Sequence, residues 1–347
     1  MNHKQRIKAI VQLGTFLEHF AVNKDWENYS SGISKHDHEE FNAVIQKVHL
    51  YNGWFTEPMV RKALKAISTW LKHENLEELS KNQKEHDPKT VAIIMAGNIP
   101  LVGFHDALCV LLNGDVVLAK FSSDDSVLMP ILFKYLIQIE PEFNDQIRIA
   151  SDRLTNFDAV IATGSNNSAR YFEQYFGQKP NIIRKNRTSV AVLDGTETEE
   201  ELSALGNDVF DFFGLGCRNV TKLYIPKDFD LNRFFGAIFK FAEIIQHNKY
   251  ANNYDYHKAI YLLNRDELIE NGFLLLRENN DLFSPVGVLH YERYDDVDKV
   301  KSDLIALSDS IQCIVGHNYI PFGQAQEPRI NDFADGVNTM EFLEQLN

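Results

Sequence analysis

Apolar positions recur at helical spacing through the opening of the chain, and the rhythm changes at residue 91. Ile7, Ile10, Val11 and Leu13 fall on one helical stripe, as do Met59, Ala63, Ile67, Trp70 and Leu71, which predicts a mostly helical region over 1–85. The polar run Lys72–Lys89 closes it, with Pro88 at the boundary. Val91–Met95 is then a continuous apolar run ending in Ala96-Gly97-Asn98, and Pro100 opens a helix to about Leu112. After the Asn113-Gly114 turn, Val116–Ala119 is a second run, and Ser126–Ile139 a second helix. Ile147–Ala150 and Asp158–Ala162 read as further strands, the latter followed by Thr163-Gly164-Ser165 and a helix through Phe176. Unbroken apolar runs of this length suit strands buried on both faces of a parallel sheet. The alternation predicts an α/β class with a doubly wound, Rossmann-type sheet. Ligands of such sheets bind at the carboxyl ends of the strands, where Gly97, Asn98, Lys120, Ser122, Gly164 and Ser165 fall.

A second unit begins near residue 186. Its predicted elements are strand Ser189–Leu193, helix Glu197–Phe213, a turn holding Cys217, and strand Thr221–Ile225. Helix Arg233–Gln246, strand Ala259–Leu263 and a turn running into a strand over Asn280–Val288 follow. The tail from Phe322 is polar and then helical.

Composition narrows the partners. The 347 residues are 44% hydrophobic and 24% charged, ordinary for a two-domain globular chain with a real core. A net charge of −14 argues against a nucleic-acid binder. No apolar run is long enough for a transmembrane helix. The N-terminal stripe is interrupted by Glu18 and His19, as in an amphipathic helix rather than a signal peptide. The three cysteines, at 109, 217 and 313, form neither a metal motif nor a disulfide framework, so no metal and a reduced, cytoplasmic setting are expected.

One cysteine stands apart. Phe213-Gly214-Leu215-Gly216-Cys217-Arg218-Asn219-Val220 sets a thiol between glycines and an arginine, just after a predicted helix. The glycines leave space beside the sulfur, and a thiolate is the reactive form. A free cysteine is also a common small core residue, and the octapeptide leaves nucleophile and core filler both open.

Taken in order, these segments resemble the aldehyde dehydrogenase superfamily, and within it the acyl-CoA reductase (LuxC-type) family, over roughly 88–347. The resemblance implies a nicotinamide-cofactor domain at 89–185 and a smaller α/β catalytic domain at 186–318. It also implies a helical region at 1–88 packed on the cofactor domain, and a tail at 319–347 returning to that domain or to an oligomer interface. Ala96-Gly97-Asn98-Ile99-Pro100-Leu101 matches the segment whose asparagine amide holds the oxyanion, giving Asn98 that role; Asn98 also suits the cap of the following helix. Val117–Ser123 matches the strand end whose lysine contacts the adenosine ribose, which places Lys120, Ser122 and Ser123 at the cofactor, with a surface lysine as the other reading. NAD-dependent relatives often carry a glutamate where Ser123 stands, and a neutral serine does not repel a 2′-phosphate, so NADPH is expected, with NADH as the alternative. Gly164 and Ser165 match the phosphate-binding turn at a helix start. Cys217 matches the nucleophile. Asp281-Leu282-Phe283 matches the segment that meets the nicotinamide ribose and ring, although Asp281 is one methylene shorter than the usual glutamate and Phe283 equally suits a core.

One departure directs the reaction. Oxidising relatives carry a glutamate that activates water, and here the aligned residue is Ile183, in Ile183-Arg184-Lys185-Asn186-Arg187. Without that base, an acyl group on Cys217 leaves as an aldehyde after hydride transfer or moves to a thiol. The expected substrate is therefore a fatty acyl-CoA or an acylated carrier protein, in a homo-oligomeric dimer or tetramer. Arg184, Lys185 and Arg187 suit an anionic carrier or, equally, a solvated face. Arg218 would favour the thiolate if it turned inward, and His247, His257 and His317 are candidates for the general acid. Phe229, Phe234, Phe235, Phe239, Phe241 and Tyr250 suit a fatty tail or a helix core. Two rival readings remain: a superfamily reductase acting on an acyl phosphate or semialdehyde, and a non-catalytic cofactor-binding protein.

Overall fold

The structure is a computed structural model that describes residues 1–26, 32–150 and 153–346. The chain divides into two compact units, Met1–Lys185 with Arg329–Asn347, and Asn186–Pro328.

In the first unit the opening helices are α1 (His3–Ala21), α2 (Lys35–Lys47), α3 (Glu57–Trp70) and α4 (His73–Leu79). Helix α1 starts at a capping box between Asn2 and Gln5 and buries Ile7, Ile10, Leu13, Leu17 and Phe20 along one face. The α/β part then runs β1 (Thr90–Ile94), α5 (Phe104–Asn113), β2 (Val116–Lys120), α6 (Leu128–Ile139) and β3 (Ile147–Ile149). It continues with β4 (Ala159–Thr163), α7 (Asn166–Phe176) and β5 (Asn181–Arg184). Among the described residues these strands form one all-parallel sheet in the order β3-β2-β1-β4-β5. The order reverses between β1 and β4, and a doubly wound sheet opens its crevice at the carboxyl end of such a switch. Leu108, Val110 and Leu112 of α5 pack into the same core as the α1 face.

The second unit runs β6 (Thr188–Val192), α8 (Glu199–Phe210), β7 (Val220–Pro226), α9 (Leu231–Ala237) and α10 (Asn248–Asn264). Then come β8 (Ile269–Glu270), β9 (Leu275–Glu278), β10 (Val288–Tyr294), α11 (Val297–Ala306) and β11 (Ile311–Val315). The sheet order is β11-β6-β7-β10-β9-β8, parallel except for the short edge strand β8. The returning tail ends in α12 (Thr339–Glu344), whose Met340 and Leu343 join the core of the first unit beside α5.

Two predicted elements differ. Ala259–Leu263 is helix rather than strand, the last turns of α10. Its apolar run mimics a buried strand, yet Leu262 and Leu263 are exposed, while Tyr250, Tyr254 and Tyr261 line the buried helical face. The helix predicted over Arg233–Gln246 divides into α9 and a 3-10 run, Phe239–Gln246, with the weak helix former Gly236 just before the break.

Candidate active site

In the first unit, the predicted cofactor residues share one edge. The last residue of β1, Ile94, pairs with Lys120 on one side and Ala162 on the other, so the loops after β1, β2 and β4 leave the sheet together. These loops carry Asn98, then Ser122 and Ser123, then Gly164 and Ser165. Asn98, Ser123 and Ser165 are exposed, and Lys120 and Ser122 half-buried. A Cβ on Gly97 would stand 2.7 Å from the Ser122 hydroxyl, so only glycine permits this approach of the Asn98 loop to the Lys120 loop. Ser165 is the N-cap of α7, its hydroxyl accepting from the Ser168 N–H at 3.2 Å. Beneath the edge lies Asp125, 4% exposed, whose carboxylate accepts from the Leu101 N–H at 2.7 Å. Burial pushes this carboxyl up to about 6, against the lowering effect of the N–H groups of Leu101, Leu128 and Met129.

In the second unit, α8 runs into a tight turn before β7. Phe212, Phe213 and Gly214 are all left-handed, with φ of 51°, 57° and 77°. For each phenylalanine that conformation costs about 1–3 kcal/mol, and such strain persists only where its surroundings over-determine it. They do so here through Asn219, which is fully buried. Its Nδ2 donates to the carbonyls of Asp208 at 3.0 Å and Asp211 at 2.8 Å, and its Oδ1 accepts from the Gly216 N–H at 2.8 Å. The Ser189 hydroxyl on β6 donates to the Cys217 carbonyl at 3.0 Å. Cys217 is thus half-buried on a turn fixed from both sides, whereas Cys109 and Cys313 are buried.

The segment carrying Asp281 and Phe283 is held at the same end of β7. Lys222 Nζ donates to the Asn280 carbonyl at 2.8 Å, and the Thr221 hydroxyl to the Leu282 carbonyl at 2.7 Å. Between them, His290 Nδ1 lies 3.0 Å from the Asp281 carbonyl. Three consecutive carbonyls are therefore tied down, and Asp281 and Phe283 face outward, Phe283 being 40% exposed.

The chain matches the acyl-CoA reductase (LuxC) family over residues 3–233. It belongs to that family. Solved aldehyde dehydrogenases are similar in fold. The acetylating aldehyde dehydrogenase of Geobacillus thermoglucosidasius has 10% identity and a TM-score of 0.58, over 91% of this chain and 76% of its own. Aldehyde dehydrogenase 21 of Physcomitrella patens has 13% identity and a TM-score of 0.61, over 91% and 74%. The putative aldehyde dehydrogenase PutA of Anabaena variabilis has 14% identity and a TM-score of 0.57, over 100% and 83%. No curated protein sequence matches. As an acyl-CoA reductase family member with an aldehyde dehydrogenase-like fold, the protein is an oxidoreductase acting on acyl and aldehyde groups. Among the described residues no helix is long and apolar enough to cross a membrane.

Several expectations change in this LuxC-family chain. Arg184, Lys185 and Arg187 do not form an open anion site. Arg184 is buried against Asp106 and donates to Thr339, Lys185 pairs with Glu173, and Arg187 donates to the carbonyls of Ser308 and Ile311. Arg218 turns to the Ala325 carbonyl. Phe229, Phe234 and Tyr250 are core residues of the second unit, and of the aromatic run only Phe239 is strongly exposed, at 68%. Of the three histidines, His247 lies against the Phe213 ring, 4.3 Å between centroids, four residues before the thiol. His257 sits on α10, and His317 is ion-paired with Asp194 and Glu201. Sequence reasoning passed over Asp125, Ser189, Asn219, Thr221, Lys222 and His290. The signal was present in Lys222 and His290, polar residues inside the apolar runs of β7 and β10.

Proposed function

We propose that the protein reduces a long-chain fatty acyl-CoA or acyl-protein thioester to the aldehyde, with NADPH, through an acyl group held on Cys217. The observation that carries this reading is the half-buried Cys217 on its braced turn, in a family member with Ile183 where water-activating relatives have a carboxylate. The Cys217 thiolate attacks the thioester carbonyl carbon, a carbon–sulfur bond forms, and the carrier thiolate leaves. The side-chain amide of Asn98 and the backbone N–H of Cys217 donate to the oxyanion. The bound nicotinamide supplies the hydride. The bond to Cys217 then breaks, the sulfur keeps the electron pair, and the aldehyde departs. No acid at position 183 prepares a water, so hydrolysis does not compete efficiently.

The first unit offers a fitting cradle for a dinucleotide. Lys120 stands at the strand end, and Ser165 caps a helix whose first-turn N–H groups suit a pyrophosphate. Ser123 is neutral and exposed, which supports NADPH; the first acidic side chain, Asp124, follows one residue later. In the second unit Phe283 is presented for packing beside the nicotinamide, and Asp281 for its ribose. His247, the histidine against the nucleophile turn, is the proposed proton source for the leaving thiolate.

The test measures NADPH and NADH consumption with palmitoyl-CoA, shorter acyl-CoAs and glutamyl phosphate, alongside the mass of the Cys217 peptide after incubation with acyl-CoA alone. Turnover of palmitoyl-CoA with an acylated Cys217 is expected. Turnover of the acyl phosphate alone overturns the substrate, and an unmodified chain with no turnover overturns the enzyme.

A further inference from the structure

We infer that Asn219 and Ser189 are positioning residues for Cys217, a two-point mount that holds an intrinsically strained turn so that the thiol stays presented. The inference rests on the reading of Cys217 as the nucleophile and adds the residues that keep it in place.

The chain enters the turn through two left-handed phenylalanines, a backbone conformation that residues with a Cβ disfavour; the Phe213 ring packs against His247 and Tyr250. One buried amide answers for the region. Asn219 closes the loop on itself, its Oδ1 accepting from the Gly216 N–H while its own N–H donates to the Gly216 carbonyl at 3.0 Å. Its Nδ2 ties the same loop to the last turn of α8 through Asp208 and Asp211. An asparagine is the side chain that offers two donors and an acceptor from one planar group at this reach. Ser189 secures the residue between, donating to the Cys217 carbonyl while it accepts from the Cys313 N–H at 3.1 Å. Gly216 and Cys217 are therefore held on one side by α8 and on the other by β6. Removing either anchor lets the strained turn relax. The thiol loses its presentation while the sheet beneath, paired through Val190, Ala191 and Val192 with β7, remains intact.

The experiment compares Asn219→Ala, Ser189→Ala and Leu304→Ala, the last a core truncation on α11 that controls for general destabilisation. Each is alkylated with iodoacetamide well below its melting temperature, and the rate is read as the mass of the Cys217 peptide. Asn219→Ala is expected to slow alkylation about tenfold and to lower kcat with little change in acyl-CoA KM, and Ser189→Ala to do so severalfold, because about 1 Å of misplacement is enough for such losses. Leu304→Ala is expected to lower Tm and keep the wild-type alkylation rate. If Asn219→Ala and Ser189→Ala alkylate at the wild-type rate, the mount does not exist. Should Asn219→Ala fail to fold, Ser189→Ala alone decides by the same criterion. If the wild type alkylates fast but is never acylated by palmitoyl-CoA, the functional reading fails while the mount stands.

Discussion

Replacing Asp125 by Asn should make the protein more stable at pH 8, by an amount that shrinks toward acid and vanishes only below the ordinary carboxyl value of 3.8. The carboxyl is buried beneath the sheet edge that carries Asn98 and Lys120, and burial pushes it from the ordinary 3.8 up to about 6. A raised carboxyl binds its proton more tightly in the folded state than in the unfolded one. Stability therefore falls as pH rises through the interval between the two values. At 1.36 kcal/mol per pH unit, the whole interval amounts to about 3 kcal/mol, with roughly 1.4 kcal/mol of it spanned between pH 5 and pH 8. The asparagine oxygen still accepts from the Leu101 N–H, so the substitution removes the charge and keeps the tie to the Asn98 loop. Guanidinium unfolding of both proteins at pH 5 and pH 8 reads the effect as a difference of differences. A variant whose advantage is the same at both values, or is absent at pH 8, would refute the account of Asp125 as a carboxyl kept partly protonated by burial. Asp125→Ala should instead destabilise at both, since it leaves the Leu101 N–H without its acceptor.

Arg184→Met should cost about 3–5 kcal/mol in denaturant unfolding, because it strands the buried Asp106 carboxylate, and removing both partners together should cost less than the single change. His317→Ala should lower Tm more at pH 6 than at pH 9. Hydrogen bonding to Asp194, then to Glu201, raises the imidazole above its ordinary 6.5, so its contribution is complete below 6.5 and is lost as pH rises through the folded value. Lys222→Met frees the Asn280 carbonyl from a charged donor, and should raise the KM for the nicotinamide cofactor about tenfold while acyl-CoA KM changes little in steady-state assays.

The parallel-sheet class was legible because β1, β2 and β4 are uninterrupted apolar runs ending in small polar residues. The same cue misled at Ala259–Leu263, where five apolar residues in a row belong to a helix with one buried face and one apolar outer face. Cys217 stood out through its glycines. Asn219 did not, since a buried side chain that bonds carbonyls eight and eleven residues back follows no local pattern. The cations at 184, 185 and 187 looked alike in sequence, and only tertiary packing separates the buried Arg184 from the surface Lys185.

The division of the chain has a consequence for synthesis. The second unit is inserted into the first, which is completed only when Arg329–Asn347 have been made. Until then α5, buried along nearly its whole length in the finished protein, lacks the apolar cover of Met340 and Leu343. A nascent chain must therefore carry that uncovered face of α5 through the translation of the entire second unit. Ribosome stalling or premature termination between 186 and 328 would release a species with a ready aggregation surface, which chaperones must shield.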